Sequence, residues 1–437
     1  MDDLAEAIVR SGREVTPDVT DRLRAGVRVP SVNPAAAPGE QAVGEGVFQR
    51  YFAAELEGAG CRVRMWEPDA DALRARYPEL QHVIPAEGFR DRPNVVGWFP
   101  PGDREDGRRA HLVLNSHADT VGAGDPSSWP APPFGGDLIG DKILGVGAAD
   151  AKGCLFTFLG ALLALRAAGV RLRRSVMIQS VVGEESGGAG TLECLREGYT
   201  GTAAVVGEPT SLCACLGTRG SVDLEIEITG RKAHPGEGWR GVNAIELAWR
   251  YVAALERLRG ELDRTQMHPL WASLPQGHVW NLMALNSGPT SRAVPDRCGF
   301  HYSVGLIGTE AGAEMEARVD AALRTVTAGD PWLASHPPVI RWTTRDRWPT
   351  VTDPGHPAAV AMTAVGAALG EYGATPRGFS AVADTRYLVR LGGIPTLTFG
   401  PGDIHRCHGP EEELPVDELR RAITWTALFL AGYCGTA

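Results

Sequence analysis

Five short segments carry the side chains that could do chemistry, and each sits where an apolar run ends or a helix begins. HLVLN leads into SHADTV, which supplies His117 and Asp119, and GVGAADAKG places Asp150 ahead of a helix-like stretch. SVMIQSVVGEE ends in Glu184 and Glu185, AVVGEPT supplies Glu208, and IPTLTFGPGDIHRCHGPEEE supplies His405 and His408. Imidazoles and carboxylates without thiolates suit Zn²⁺, and carboxylate-rich sets also suit Mn²⁺ or Co²⁺. Two histidines and three carboxylates exceed what one open catalytic ion uses. They fit two ions about 3.5–4 Å apart that share a carboxylate. Asp119, two residues past His117, is placed to accept the other imidazole N–H, a bond that fixes the tautomer of a ligating histidine.

The adjacent acids Glu184 and Glu185 leave two readings open. Neighbours in a strand point to opposite faces, so the pair is either a solvated acidic turn or a division of labour. In the second case one carboxylate holds an ion and the other moves a proton. Lys152 reads as a charge at a helix start, Cys154 as a core residue and Cys407 as packing.

The elements that must position these residues follow from pattern. Residues 1–60 read as two helical pieces around the loop VPSVNPAAAPGE. Residues 93–99 and 111–115 read as strands joined by the polar turn 100–110. A helix is expected over 154–170, and buried strands over 175–182 and 202–207. Past about residue 217 the pattern changes. SVDLEIEITG (221–230) alternates as an edge or half-exposed strand would. Helices at 241–262 and 310–327 and strands at 279–285 and 299–305 complete an α+β unit. A helix at 356–370, a strand at 394–400 and a helix at 416–433 restore the α/β style. The fold class is therefore α/β, with a discontinuous domain, 1–216 and 350–437, and an inserted domain, 217–349. In such sheets ligands bind beyond the carboxyl ends of the strands, where the five segments would converge. Residues 68–92 form a long polar connection with weak structure signals.

Composition limits the partners. At 437 residues the chain is long enough for two cores. A net charge of −10 argues against nucleic acid. No apolar run approaches the roughly 18 residues of a membrane span, and the N-terminus lacks an apolar signal-peptide core. The eight scattered cysteines form no CxxC pair and read as reduced thiols, hence a cytoplasmic location.

The joint pattern resembles the M20 family of metallo-amidohydrolases, in particular its acetylornithine-deacetylase and succinyl-diaminopimelate-desuccinylase-like branch. The motifs that carry it are SHAD (116–119), GVGAADAKG (145–153), GEES (183–186), GEPT (207–210) and HGPEE (408–412), with RPNVVG (92–97), GVNAIE (241–246) and DTRYL (384–388) beside them. The resemblance implies a zinc-hydrolase-type catalytic domain with an inserted α+β dimerisation, or lid, domain. It implies that His117 and Glu208 hold one divalent ion, that Glu185 and His408 hold the other, and that Asp150 bridges them. Zn²⁺ is the first expectation, with Co²⁺ or Mn²⁺ as alternatives. Glu184 is then the general base and Asp119 supports His117. Within GRKAHPGEGWRGVNA, His234 corresponds to a residue that reaches the partner's active site in a homodimer, with Asn243 nearby as a substrate contact. His405 lies off the matching position and is not a ligand.

Departures from the family pattern limit the substrate. Ser116, Val146 and Ala151 replace the usual Gly, Arg and Met. Gly305 stands where desuccinylases place an arginine that grips a substrate carboxylate, a strong and geometrically specific interaction. Arg386 is the preferred alternative anchor, with Arg292 and Arg297 behind it. The implied activity is hydrolysis of the amide of a small N-acyl amino acid or N-acyl amine. The alternatives are a dipeptidase or carboxypeptidase with the same site, and a catalytically silent binding protein.

Overall fold

The computed structural model describes residues 3–37, 44–99, 107–288 and 292–437. Parts of the loop expected at 29–40 and of the turn expected at 100–110 lie outside the described residues. The chain divides into two compact units. One comprises Met1–Leu216, Thr352–Arg377 and Ala383–Ala437; the other comprises Gly217–Val351 and Gly378–Val382.

The first unit is built on a mixed sheet. Its strands run in the order Arg62–Trp66, Asn94–Phe99, Val176–Val181, Arg109–His117, Thr200–Val206, Thr396–Thr398, then the strand that begins at Cys215. Four consecutive members, Val176–Val181, Arg109–His117, Thr200–Val206 and Thr396–Thr398, are parallel. Every residue of Val176–Val181 is buried, as a continuous apolar run in a parallel sheet requires. Parallel strands end on the same edge. That edge therefore receives His117, the Glu184–Glu185 turn, Glu208 and the segment leading to His408. The helices Asp3–Val27, Lys152–Ala167 and Val416–Cys434 pack together. A small three-stranded sheet, Asp137–Ile139, Lys142–Leu144 and Glu413–Pro415, ties the segment after His408 to the hairpin that precedes Asp150.

Residues 68–92 are more structured than their composition suggested. Asp69 caps the helix Ala70–Arg76 by accepting the N–H groups of Asp71 and Ala72 at 3.1 and 3.0 Å. A 3₁₀ turn, Pro78–Val83, follows with proline at its start. An N-cap acid and a leading proline are sufficient local signals for such short pieces.

The second unit is an antiparallel sheet in the order Trp280–Asn286, Arg297–Leu306, Gly220–Thr229, Val339–Arg347. The helices Ala244–Thr265 and Gly312–Ala328 supply apolar side chains to its core. Gly220–Thr229 shows the expected alternation over its second half, but it is not an edge. It pairs with Arg297–Leu306 on one side and Val339–Arg347 on the other. Alternation reports a half-wet face, which a central strand of a one-sided sheet also has; it does not report an unpaired flank. The edges are Trp280–Asn286 and Val339–Arg347.

Candidate metal centre

His117 ends its strand fully inside the protein, at 2% exposure. Its Nδ1 lies 2.8 Å from the Asp119 main-chain carbonyl and its Nε2 lies 2.9 Å from Asp150 Oδ1. A carbonyl only accepts, so Nδ1 carries a hydrogen and Nε2 is the nitrogen that can offer a lone pair. The sequence placed the Asp119 carboxylate in that orienting role. In the structure the nearer carboxylate oxygen is 3.8 Å from Nδ1, and the main chain does the orienting. The Asp119 carboxylate instead accepts the N–H of Glu184 at 3.2 Å and of Glu185 at 3.1 Å, with Asn33 Nδ2 at 2.7 Å. It fixes the acidic turn from below.

Asp150 stands between the two imidazoles. Oδ1 meets His117, and Oδ2 lies 3.3 Å from His408 Nε2, which is also 3.2 Å from Glu185 Oε1. Each oxygen of one carboxylate thus serves a different histidine. Among the described residues, one ligand atom each from His117, Asp150 and Glu185 lies within 4.8 Å of the others. His408 is held at φ +63°, a left-handed conformation that non-glycine residues rarely adopt and that clusters at functional sites. The peptide between Asp150 and Ala151 is cis. Glu208, on the residue after Gly207, is 5% exposed, and its carboxyl feels the charges of Asp150 and His117.

The electrostatics are those of acids packed too closely for water to screen. Burial, with Asp384 adding to it, pushes the Glu184 carboxyl up to about 8. Burial and then Asp150 push Glu208 well above the carboxylate range. For His117, burial is the largest single effect and opposes the charge, but the Asp150 hydrogen bond and the charges of Asp150, Glu208 and Asp119 together raise the imidazole well above its usual range. Hydrogen bonds to Asp150 and Glu185 push His408 up to about 11. Asp150 is itself buried, but its two histidines hold it well below the usual range. Asp119, Asp150, Glu184, Glu185, Glu208 and Asp384 together face two imidazoles and the Arg386 guanidinium. Such an excess of buried acid suits a divalent ion, and His117, Asp150 and Glu185 fit one in type and spacing.

Several supporting residues had no strong signal in the sequence. Glu412, 1% exposed, accepts the N–H groups of Ala149 at 3.1 Å and Asp150 at 3.2 Å, and so anchors the Asp150 backbone. Glu45, paired with Arg92, accepts the Gly183 N–H at 3.1 Å. Lys152 begins the helix Lys152–Ala167, as read. It is fully buried, donates to the Gly26 and Val29 carbonyls at 3.2 and 2.8 Å, and lies 4.7 Å from the Phe48 ring centroid. Burial lowers it to about 7. Cys154 is in the core, as read.

The expected substrate residues behave differently. Arg386 is 4% exposed, and its donors go to the Ala383 and Gly187 carbonyls at 3.1 and 2.9 Å. It is enclosed, which argues against a solvent-facing anchor. Asn243, in the second unit, caps the helix Ala244–Thr265 by accepting the Ile245 N–H at 3.0 Å. His234, also in the second unit, is exposed, and its Nδ1 accepts the Gly236 N–H at 3.1 Å. Its Nε2 edge is not used by that bond. A side chain at Gly305 would run into the Val279 carbonyl, so close strand packing explains the glycine there. His405 is exposed and stands apart from the cluster.

Comparison with known proteins bears on this arrangement. Residues 113–431 match the model for peptidase family M20/M25/M40. The N-formyl-4-amino-5-aminomethyl-2-methylpyrimidine deformylase of Halalkalibacterium halodurans is 30% identical over 406 residues, 88% of this chain and 88% of the relative. The acetylornithine deacetylase of Pasteurella multocida is 28% identical over 342 residues, 77% of this chain and 82% of its own. Among solved structures, a tripeptidase from Staphylococcus aureus superposes with a TM-score of 0.69 at 17% identity, covering 96% of this chain and 98% of that one. At that identity the likeness is one of fold.

Proposed function

This chain belongs to peptidase family M20/M25/M40, and on that premise we propose that it is a deacylase, hydrolysing the amide of a small N-acylated amine at a centre of two divalent ions. The observation that carries the reading is Asp150, which offers one oxygen toward His117 and the other toward His408. His117 and Glu208 would hold one ion, Glu185 and His408 the other, with Asp150 shared. Zn²⁺ is the first candidate, and Co²⁺ and Mn²⁺ suit the same donors. When bound, such ions polarise the acyl oxygen and make water a nucleophile near neutral pH.

The chain's own residues supply the rest. Glu184 takes the proton of the attacking water as the acyl carbon is approached. It delivers that proton to the amine nitrogen as the C–N bond breaks. Asp119 and Asn33 hold the turn so that Glu184 and Glu185 diverge. His234 of a second copy would donate toward the oxygen on which charge develops, a contribution of typically ~10²–10³ in rate. The relatives act on an N-formylated aminopyrimidine and on acetylornithine, by their names. The absence of a side chain at Gly305 and the enclosure of Arg386 support a substrate whose recognition does not depend on a carboxylate at those two positions. The same site would also serve a dipeptidase.

Elemental analysis after reconstitution tests the centre, with two ions per chain expected and chelation abolishing turnover. Saturation at one ion with full activity overturns the dinuclear reading. A panel of N-formyl, N-acetyl and N-succinyl amines tests the substrate. The formyl and acetyl compounds should lead, and succinyl-diaminopimelate should be poor.

A further inference from the structure

The turn Gly183–Gly188 must aim two neighbouring carboxylates in different directions. Two main-chain bonds close it: the Gly187 N–H donates to the Glu184 carbonyl at 2.8 Å, and the Gly188 N–H to the Gly183 carbonyl at 2.7 Å. Asp119 and Glu45 hold one side of the turn. The helix Thr385–Arg390 holds the other. The Gly187 carbonyl accepts from Arg386 Nη2 at 2.9 Å and from the Tyr387 hydroxyl at 2.6 Å. The second arm of the guanidinium donates to the Ala383 carbonyl at 3.1 Å, and its carbon lies 4.3 Å from the Tyr387 ring centroid. Asp384, at the start of the same helix, accepts the Thr191 hydroxyl at 2.6 Å and abuts Gly188 so closely that a Cβ there would clash.

Burying a guanidinium is costly unless its donors are used. Here the two terminal nitrogens are used, Nη1 on the Ala383 carbonyl of its own segment and Nη2 on the Gly187 carbonyl of the turn, while Nε is buried without a hydrogen-bond partner, so the bond to the turn carries much of the compensation. We infer that Arg386, together with Tyr387, is a positioning residue that holds the Glu184–Glu185 turn through the Gly187 carbonyl and so aims Glu184 at the reacting atoms. This rests on Glu184 being the base.

The test uses the ion-loaded enzyme and two variants, Arg386→Ala and Tyr387→Phe. The latter removes one hydroxyl and keeps the ring, so it remains informative if the first does not fold. Amide hydrogen exchange at residues 183–188 should accelerate in both, with ion content unchanged. Arg386→Ala should lower kcat by about 10², the low end of a general base's contribution, with KM nearly constant. Guanidinium at low millimolar concentration should restore part of that kcat, and should not help Glu184→Gln. Three results overturn the inference: unchanged exchange in both variants, a raised KM with intact kcat, or faster exchange with normal turnover. Glu184→Gln separates these from a wrong base, since normal kcat in that variant indicts the base alone.

Discussion

Asp150 stands between two imidazoles and raises the proton affinity of both. His408 is pushed up to about 11 by hydrogen bonds to Asp150 and Glu185, and His117 is raised by Asp150 against the effect of burial. Both imidazoles therefore hold a proton more tightly than a free imidazole does, and ion uptake should release protons. Apparent affinity should fall as pH is lowered. Titration calorimetry in two buffers of different ionisation enthalpy should give different heats; identical heats refute the proton release. The acids give a second prediction. Chiefly through burial, Glu184 and Glu412 are pushed up to about 8 and Glu45 to about 7. Unfolded, they ionise near 4.5. A raised folded value means that their contribution to stability is full below the unfolded value and is lost as pH rises through the folded one. The Tm of the ion-free protein should decline from about pH 5 to about pH 8, and a rise over that window contradicts the assignment. In the same site, Glu184→Gln should keep both ions and lose ~10²–10⁴ in kcat, whereas Glu185→Gln should lose an ion.

The elements explain why the ligand motifs could be read and their supports could not. His117, Glu184–Glu185 and Glu208 each follow an apolar run, and adjacent parallel strands carry runs of that kind to one edge. Asn33, Glu45, Arg92 and Glu412 act across 47 to 263 residues of sequence, and their partners are main-chain groups or one or two side chains. No local pattern marks such bonds. Arg386 misled for another reason: its motif suggested function, and the helix turns its charge inward. For Gly220–Thr229 the alternation left an edge or a half-exposed strand open, and the structure selects the second, because both flanks are paired. Glycines offer an element-scale test. Gly188 sits at φ +86° against Asp384, so Gly188→Ala carries a conformational cost of ~1–3 kcal/mol, with the clash in addition. It should lower Tm and activity together. Gly260 lies inside the helix Ala244–Thr265 with nothing within 4 Å of an added Cβ. Gly260→Ala should raise the stability of its unit by ~0.5–1 kcal/mol. Differential scanning calorimetry separates the two, and a loss at position 260 would show that the helix bends there for a reason.

Across the whole molecule, the role proposed for His234 of a second copy is tested by complementation, since His234 lies in one compact unit and His408 in the other. His234→Ala and His408→Ala should each be nearly inactive. Refolded together, random pairing in a symmetric dimer makes about half of the dimers hybrids. Each hybrid holds one intact site, so activity should return to about a quarter of normal. A silent mixture with hybrids demonstrably present would place His234 outside the reaction. The second unit is assembled from two stretches, Gly217–Val351 and the five residues Gly378–Val382. Within it, Arg219 donates to the Ser380 carbonyl and Trp271 to the Phe379 carbonyl. A gene fragment spanning only the long stretch would leave both bonds unmade, so excising this unit as one continuous piece should cost it stability. The acceptors are main-chain carbonyls, which any residue supplies, so the short stretch should tolerate exchange of its side chains as long as its path is kept.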